Sequence, residues 1–382
     1  MSEPLVTLSR KALVSNARRL LTRANKSMFP VLKANAYGHG AVWAAQVLEQ
    51  SFSEQQIPFF CVARQGEAEE LIDAKVQRPI LVLSHWNLAE LELPPASVSL
   101  TVSSWEDMEQ LRVADRNPGV RGLHFKINTG MNRLGFTGED LRTSRWLSQV
   151  SELGQKGYQL EGLMSHLVSG ELDPSLHSQC QLSEFEVLVE ELSRQQLSFP
   201  WIHLENGGAA SWPLVSVPWR INGFRPGLTL YGIDPRQTPD SLGLLPVLSV
   251  SGPLRQIQNC GPGATVGYGR HYVCDRKHHI GIVSLGYADG LDRRLSRKAG
   301  EPWAIGLVLR GVRVPFAGRI SMDLCAVDLT EHPDRDQIRI GDPAFWISQN
   351  QDVSEIGQNL NRIPWEILCA LGHRLRRIEV SE

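Results

Sequence analysis

The sequence predicts an α/β protein built as a (β/α)8 barrel of the TIM type followed by a smaller, mostly β C-terminal domain. Three features lead there. Eight short apolar runs, at residues 29–34, 57–63, 79–84, 98–103, 123–128, 162–167, 201–205 and 224–231, alternate with polar or amphipathic stretches. The runs are continuously apolar, as expected of parallel strands covered on both faces, and eight strand–helix repeats close such a barrel. After Tyr231 the texture changes to short β-branched runs between glycine and proline breaks, the composition of a β-rich domain. The 382 residues also exceed the ~250–300 at which a single core stops growing. The barrel domain is expected at 10–235 and the second domain at 246–382, which residues 1–9 could join.

Taken in order, Ser9 can cap a helix beginning near Arg10, with Leu13, Ala17, Leu20, Leu21 and Ala24 on its apolar face. The run Phe29–Leu32 reads as a buried strand that delivers Lys33 to its carboxyl end, before a glycine-punctuated loop and a helix from Ala41. An ammonium at the edge of a core is poorly solvated, so its pKa should fall and its amine become a usable nucleophile. Ser103-Ser104-Trp105-Glu106 reads as a capping box, and Asp173-Pro174 as a cap and first-turn proline. The helix after that proline carries Leu182, Phe185, Val189 and Leu192 at helical spacing. Asp234 to Pro246 is a turn-rich linker, and Gly261–Gly269 opens no helix, so it reads as tight turns between strands. Helix signals return at Val353–Leu360 and Trp365–Leu371.

A net charge of −2 shows no global bias toward nucleic acid or anionic membranes. The six cysteines are scattered, with no Cys-x-x-Cys pair, and read as buried thiols of a reducing compartment. Charges interrupt the segment from Met1 to Leu21, and no apolar run approaches the ~18 residues of a membrane span, so a soluble cytoplasmic protein is expected. His278-His279 beside Lys277 reads as a solvated turn, not a metal site, and Arg374, Arg376 and Arg377 read as a solvated face.

Barrel enzymes place their chemistry at the carboxyl ends of strands. There this sequence puts Lys33 and Tyr37, then Arg133, His166, Asn206 with Gly207 and Gly208, and Arg225 with Gly227. Arginines suit carboxylate or phenolate oxygens, glycine N–H groups suit phosphate, and a lysine amine suits a carbonyl. Pyridoxal phosphate has that inventory of groups.

Five segments sharpen the reading: Val31-Leu32-Lys33-Ala34-Asn35-Ala36-Tyr37-Gly38-His39-Gly40, Asn128-Thr129-Gly130-Met131-Asn132-Arg133-Leu134-Gly135, Arg225-Pro226-Gly227, Gly286-Tyr287-Ala288-Asp289-Gly290 and Gly318-Arg319-Ile320-Ser321-Met322-Asp323. In that order they resemble the signature segments of alanine racemases and span nearly the whole chain. The resemblance implies an isomerase that interconverts L- and D-alanine with pyridoxal 5'-phosphate and supplies D-alanine for cell-wall peptidoglycan. By it, Lys33 carries the cofactor covalently and is the base on one face of the substrate. Tyr287 is the base on the other, contributed by the partner subunit of a homodimer. Inversion of a stereocentre needs a proton removed from one side and returned to the other. A phenol ionises near ~10 in water, so one acting near neutrality needs support, which His166 resembles the family residue for supplying.

The same resemblance sets Arg225 against the cofactor ring nitrogen, where a permanent positive charge opposes protonation and limits transamination. It makes His203 the residue that orients Arg225, and gives Arg133 and the Met322 N–H to the substrate carboxylate. Tyr37 and the backbone at Asn206, Gly207, Gly227 and Leu228 fall to the phosphate, and Lys126 stands where some members carry a carbamylated lysine. Three departures stand out. Gly207 replaces a usual serine, Ser321 replaces a frequent cysteine before Met322-Asp323, and His373 stands where many members have a tyrosine that narrows the entrance. His373 keeps open a broader racemase acting on serine or basic amino acids. A pyridoxal-phosphate-binding barrel without turnover is the other alternative, but such proteins lack the second domain and its Tyr287.

Overall fold

The computed structural model describes residues 3–91, 94, 96–169, 176–208, 220–234 and 242–380. It divides into two compact units, residues 12–245 and residues 1–11 with 246–382. The first strand, β1 (Leu5–Ser9), belongs to the second of these, and the helix Arg10–Ala24 follows it directly.

The larger unit is a ring of parallel strands: β2 (Ser27–Met28), β3 (Phe60–Arg64), β4 (Ile80–His85), β5 (Val98–Val102), β6 (Gly122–Lys126), β7 (Leu160–Met164), β8 (Trp201–Asn206) and β9 (Gly223–Arg225). Their order is β2-β9-β8-β7-β6-β5-β4-β3, and a parallel bridge from Val31 to Cys61 closes the ring. Strand residues in β5 and β6 are buried throughout, which is why the sequence shows no alternation there. Phe29, Val31, Phe59, Cys61 and Leu81 form one core cluster, with Phe29 edge-on to Phe59 and Trp201.

The first and last strands are shorter than the apolar runs that announced them. Pro30 has no N–H to give to a ladder, so β2 stops at Met28 and the chain continues extended to the Val31 bridge. Pro226 ends β9, and Leu228–Tyr231 forms a 3₁₀ turn where a strand was expected. At the predicted capping box the register moves by one. Ser104 accepts from the Asp107 N–H at 3.1 Å, and Asp107 reaches back to the Ser103 N–H at 2.7 Å. The helix Leu176–Arg194 buries Leu182, Phe185, Val189 and Leu192, whereas Asp173-Pro174 lies outside the described residues.

In the smaller unit the strands are β1, β10 (Leu248–Cys260), β11 (Thr265–Val266), β12 (Tyr272–Val273), β13 (His278–Val283), β14 (Leu307–Leu309), β15 (Val312–Val314), β16 (Cys325–Asp328), β17 (Pro343–Ile347) and β18 (Arg376–Val380). β10 is its spine. Its first part pairs with β1 and β17, and from Leu254 on it pairs with β13, with a register shift between Leu254 and Gln256. β1 is antiparallel to β10 and parallel to β18, so the chain's two ends lie side by side in one sheet. The helices Val353–Leu360 and Pro364–Cys369 match the two late helix signals.

Two surface expectations fail here. His278 is buried in β13, 2.8 Å from Asp275 and 3.0 Å from Asp328, and is not in a solvated turn. The antiparallel pairing of β13 with β16 brings in Asp328 from 50 residues away. All six cysteines are free, but only Cys61, Cys274 and Cys325 are buried, while Cys180 and Cys369 are exposed. No helix among the described residues is long and apolar enough to cross a membrane, and they hold no cluster suited to a metal ion.

Candidate active site

Lys33 leads into a turn that ordinary L-residues avoid. Ala34, Asn35, Ala36 and Tyr37 all have φ of 52° or 53°, a run of left-handed residues ending at Gly38 with φ 83°. Such backbone costs roughly 1–2 kcal/mol per residue, and only asparagine among these three types visits it with ease. Tertiary bonds hold it. The Ala34 N–H donates to Glu67 at 2.7 Å, Asn35 Oδ1 caps the Ala41 N–H at 2.8 Å, and the His39 ring, stacked on Tyr231, lies 2.9 Å from the Ala36 carbonyl. The turn keeps the Lys33 amine 6.0 Å from the Tyr37 ring centroid, and both residues are half-buried.

Around Lys33 the barrel gathers cations. Lys126, buried at the end of β6, is pushed down to about 8 by burial and then by the charges of Arg133, Arg225 and Lys33. His166 is held well below its ordinary value by burial and by Arg225, Arg133, Lys126 and Lys33, so its ring is neutral. Arg133 itself is exposed. Of the acidic groups, Glu205 favours the Arg225 charge, yet its carboxylate is 2.8 Å from Lys26. The charges of Lys33, Arg133 and Arg225 thus all bear on both Lys126 and His166.

Arg225 is the most tightly held of them. Nη1 donates to His203 Nδ1 at 2.5 Å and to the His203 carbonyl at 3.0 Å, while Nη2 donates to the Ser165 carbonyl at 2.6 Å and to His166 Nδ1 at 3.3 Å. Burial brings its pKa down to about 10, which leaves it charged at neutral pH. A guanidinium fixed by carbonyls and imidazoles, with no carboxylate paired to it among the described residues, keeps its charge available to a ligand.

Below it two glycines open space. A Cβ on Gly227 would stand 2.5 Å from the Tyr37 hydroxyl, and one on Gly207 would stand 2.0 Å from Thr229 Oγ1. That Thr229 oxygen is buried and has no hydrogen-bond partner among the described residues, as a group kept for a ligand would be. The structure thus brings Gly227 against Tyr37 and Gly207 against Thr229. Nothing in the linear sequence marks Thr229, because its meaning depends on the missing side chain at Gly207.

The remaining predicted residues gather in the smaller unit. Tyr287 begins a short 3₁₀ turn whose N–H donates to the Ser321 carbonyl at 3.0 Å, and the next N–H, of Ala288, donates to the Met322 carbonyl at 3.1 Å. Gly286 is required for this approach, since a Cβ there would lie 2.1 Å from the Met322 oxygen. Asp289 is buried and accepts the Gly286 N–H at 2.9 Å. Arg374 is exposed, as expected of a solvated face, but it is also paired. Its Nε donates to Asp289 at 2.7 Å and its Nη1 to Asp323 at 2.6 Å, which ties the Tyr287 turn to the Met322 segment. Tyr287 and Met322 remain 43% and 51% exposed, and His373, next to Arg374 in the chain, is exposed too.

Comparison with known proteins gives one consistent result. Residues 8–235 match the alanine racemase N-terminal domain family and residues 247–379 the alanine racemase C-terminal domain family. The alanine racemase of Synechocystis sp. is 32% identical over 393 residues, covering 98% of each chain. Alanine racemase 1 of Clostridium acetobutylicum is 30% identical, covering 94% of this chain and 91% of that one. Among solved structures, alanine racemase from E. faecalis superposes with a TM-score of 0.85 at 28% identity, over 99% of this chain and 98% of that one. Alanine racemase from Bartonella henselae, solved with covalently bound pyridoxal phosphate, gives 0.83 at 27% identity over the whole of both chains.

Proposed function

Because the chain belongs to the alanine racemase family, we propose that it interconverts L- and D-alanine with pyridoxal 5'-phosphate, through the two-base arrangement its residues allow. The observation that carries this is the set of Lys33, Lys126, Arg133 and Arg225 near the buried Thr229 hydroxyl, which has no partner among the described residues. That set fits an aldehyde bearing a phosphate and a phenolate. The cofactor, when bound, supplies an electron sink that acidifies the substrate's α-proton. Lys33 holds it and exchanges a proton on one face of the substrate. Tyr37, Thr229 and the backbone of Gly207, Gly227 and Leu228 bind the phosphate, and Arg225 keeps a positive charge toward the ring nitrogen.

On the opposite face the proton is exchanged by Tyr287, whose exposure suits service to a second copy of the chain in a homodimer. Arg133 and the Met322 N–H orient the substrate carboxylate. The product supplies peptidoglycan synthesis, and the free cysteines suit a cytoplasmic site. Exposed His373 favours one second reading, a broader racemase. In the test, protein incubated with pyridoxal phosphate shows a bound-cofactor absorbance band that Lys33→Ala abolishes. Tyr287→Phe keeps the band and loses racemisation by at least about 100-fold, the usual size of a lost acid–base group. An unchanged band in Lys33→Ala, or full activity in Tyr287→Phe, refutes the roles. Turnover of L-serine or L-arginine above that of L-alanine would select the second reading.

A further inference from the structure

Arg225 heads a chain of buried polar groups that crosses five neighbouring strands. From His203 on β8, Nε2 stands 2.8 Å from His124 Nδ1 on β6. His124 Nε2 in turn faces Glu161 Oε2 on β7 at 3.4 Å, and has no hydrogen-bond partner among the described residues. That separation is long for a hydrogen bond, so the contact is an N–H dipole pointed at a carboxylate. Glu161 also accepts from Ser99 on β5 at 2.5 Å and from Arg121 at 3.0 Å.

The space for this chain is built in. A Cβ on Gly162, which pairs with His124 across β6 and β7, would lie 2.0 Å from His124 Nδ1, and one on Gly122 would lie 2.6 Å from Glu161 Oε2. Phe29 packs edge-on against His203 and Phe59 against His124, walling the imidazoles off from water.

The donors and acceptors can be arranged in one way only. A guanidinium donates and never accepts, so His203 Nδ1 must carry a lone pair and its Nε2 the proton. His124 Nδ1 then accepts and its Nε2 carries the proton toward Glu161. Protonating either ring would set two N–H groups against each other. Burial agrees, keeping both imidazoles below their ordinary range and neutral. Burial also pushes Glu161 up, but the His124 and Ser99 contacts and the Arg121 charge hold it below its usual value, hence ionised.

We propose that His124 and Glu161 are positioning residues: the Glu161 carboxylate selects the tautomers of His124 and His203, and so the lone pair that fixes the Arg225 fork. This rests on the role given to Arg225 above. A carboxylate can only accept, whereas the amide of Glu161→Gln can offer an NH₂ to His124. The chain can then run backward and put a His203 Nδ1–H against the guanidinium. Gly162→Ala displaces the His124 ring and disconnects the relay from outside it.

The experiment labels the histidine ring nitrogens with ¹⁵N in cofactor-free protein and reads the tautomers by NMR. Both His203 and His124 should show a lone-pair Nδ1 and a protonated Nε2, and Glu161→Gln should add the second tautomer at His203. In the cofactor-loaded enzyme, both variants should raise the share of turnovers yielding pyruvate instead of D-alanine by about tenfold, the lower end for loss of an outer-shell partner. KM should stay within about twofold, since no substrate contact is touched. A wild-type His203 protonated at Nδ1 overturns the proposal without any variant. So does a tautomer change with no change in partition. If Arg225→Lys leaves the partition unaltered while the wild-type tautomers stand, the reading of Arg225 is what fails, and the functional half of the proposal goes with it.

Discussion

Removing Arg374 should damage activity through the two loops it joins. In Arg374→Ala, the buried Asp289 carboxylate loses its 2.7 Å partner and keeps the Gly286 N–H at 2.9 Å. A hydrogen bond to a charged group contributes ~1.5–3 kcal/mol. The arginine side chain is 47% exposed, so solvent screening brings the Asp289 leg down to ~1–2 kcal/mol. The Asp323 leg, with its carboxylate 63% exposed, adds little. Because the Tyr287 and Ala288 N–H groups hang on the Ser321 and Met322 carbonyls, slack at Asp289 is felt at both segments. If the whole ~1–2 kcal/mol is expressed in the transition state, kcat/KM for L-alanine falls by about 5–30-fold. Arg374→Lys, a point charge that can serve one carboxylate, should recover part of it. Asp323→Ala should cost no more than about twofold, in keeping with an exposed pair. Steady-state racemisation with thermal melts on the same preparations decides the matter. An Arg374→Ala enzyme within twofold of the parent, or an Asp323→Ala enzyme worse than it, would refute the reasoning.

Thr229→Val should weaken cofactor binding by about tenfold, the loss of one ~1.4 kcal/mol hydrogen bond, measured by titrating cofactor-free protein with pyridoxal phosphate. Gly207→Ser alone should bind worse still, because its Cβ meets Thr229 Oγ1 at 2.0 Å, and adding Thr229→Ala should restore affinity. A Gly207→Ser single variant that binds more tightly than the parent would reject the idea that Thr229 has taken over the serine's place. Stability of the cofactor-free protein should fall with acid. His124, His166 and His203 are depressed in the fold, so below the unfolded imidazole value near ~6.5 the unfolded chain binds more protons, and each ring costs about 1.4 kcal/mol per pH unit. Melting temperatures from pH 7 to about 5.5 test this, and a flat profile would mean the rings are not buried neutral.

The barrel was legible because its strands are covered on both faces and so stand out as unbroken apolar runs, while its ends were blurred by prolines at 30 and 226 that truncate β2 and β9. The side chains at the strand ends were legible for a similar reason: lysine, arginine and histidine are out of place beside a core. What escaped was pairing. Arg374 looks like one more surface cation until Asp289, 85 residues earlier, is seen buried against it. His278 looks like part of a polar turn until strand register delivers Asp328. His124 and Glu161 lie 37 residues apart on neighbouring strands, and only the folded barrel sets one before the other.

The turn after Lys33 shows why local rules had to fail at this one place. Ala-Asn-Ala-Tyr is ordinary sequence, and its intrinsic preference is right-handed. Holding Ala34, Ala36 and Tyr37 left-handed costs roughly 3–6 kcal/mol in all, at ~1–2 for each. No bond inside the turn could supply that. Glu67 on the helix Gln65–Asp73, the Asn35 cap on Ala41 and the His39–Tyr231 stack could, and each comes from outside the four residues or folds back from beyond them. A right-handed turn would carry the Tyr37 hydroxyl away from Gly227, where the close approach now leaves no room for a Cβ. Strain that the surrounding fold maintains, located between the Lys33 amine and Gly227, is what a site built for positioning would retain.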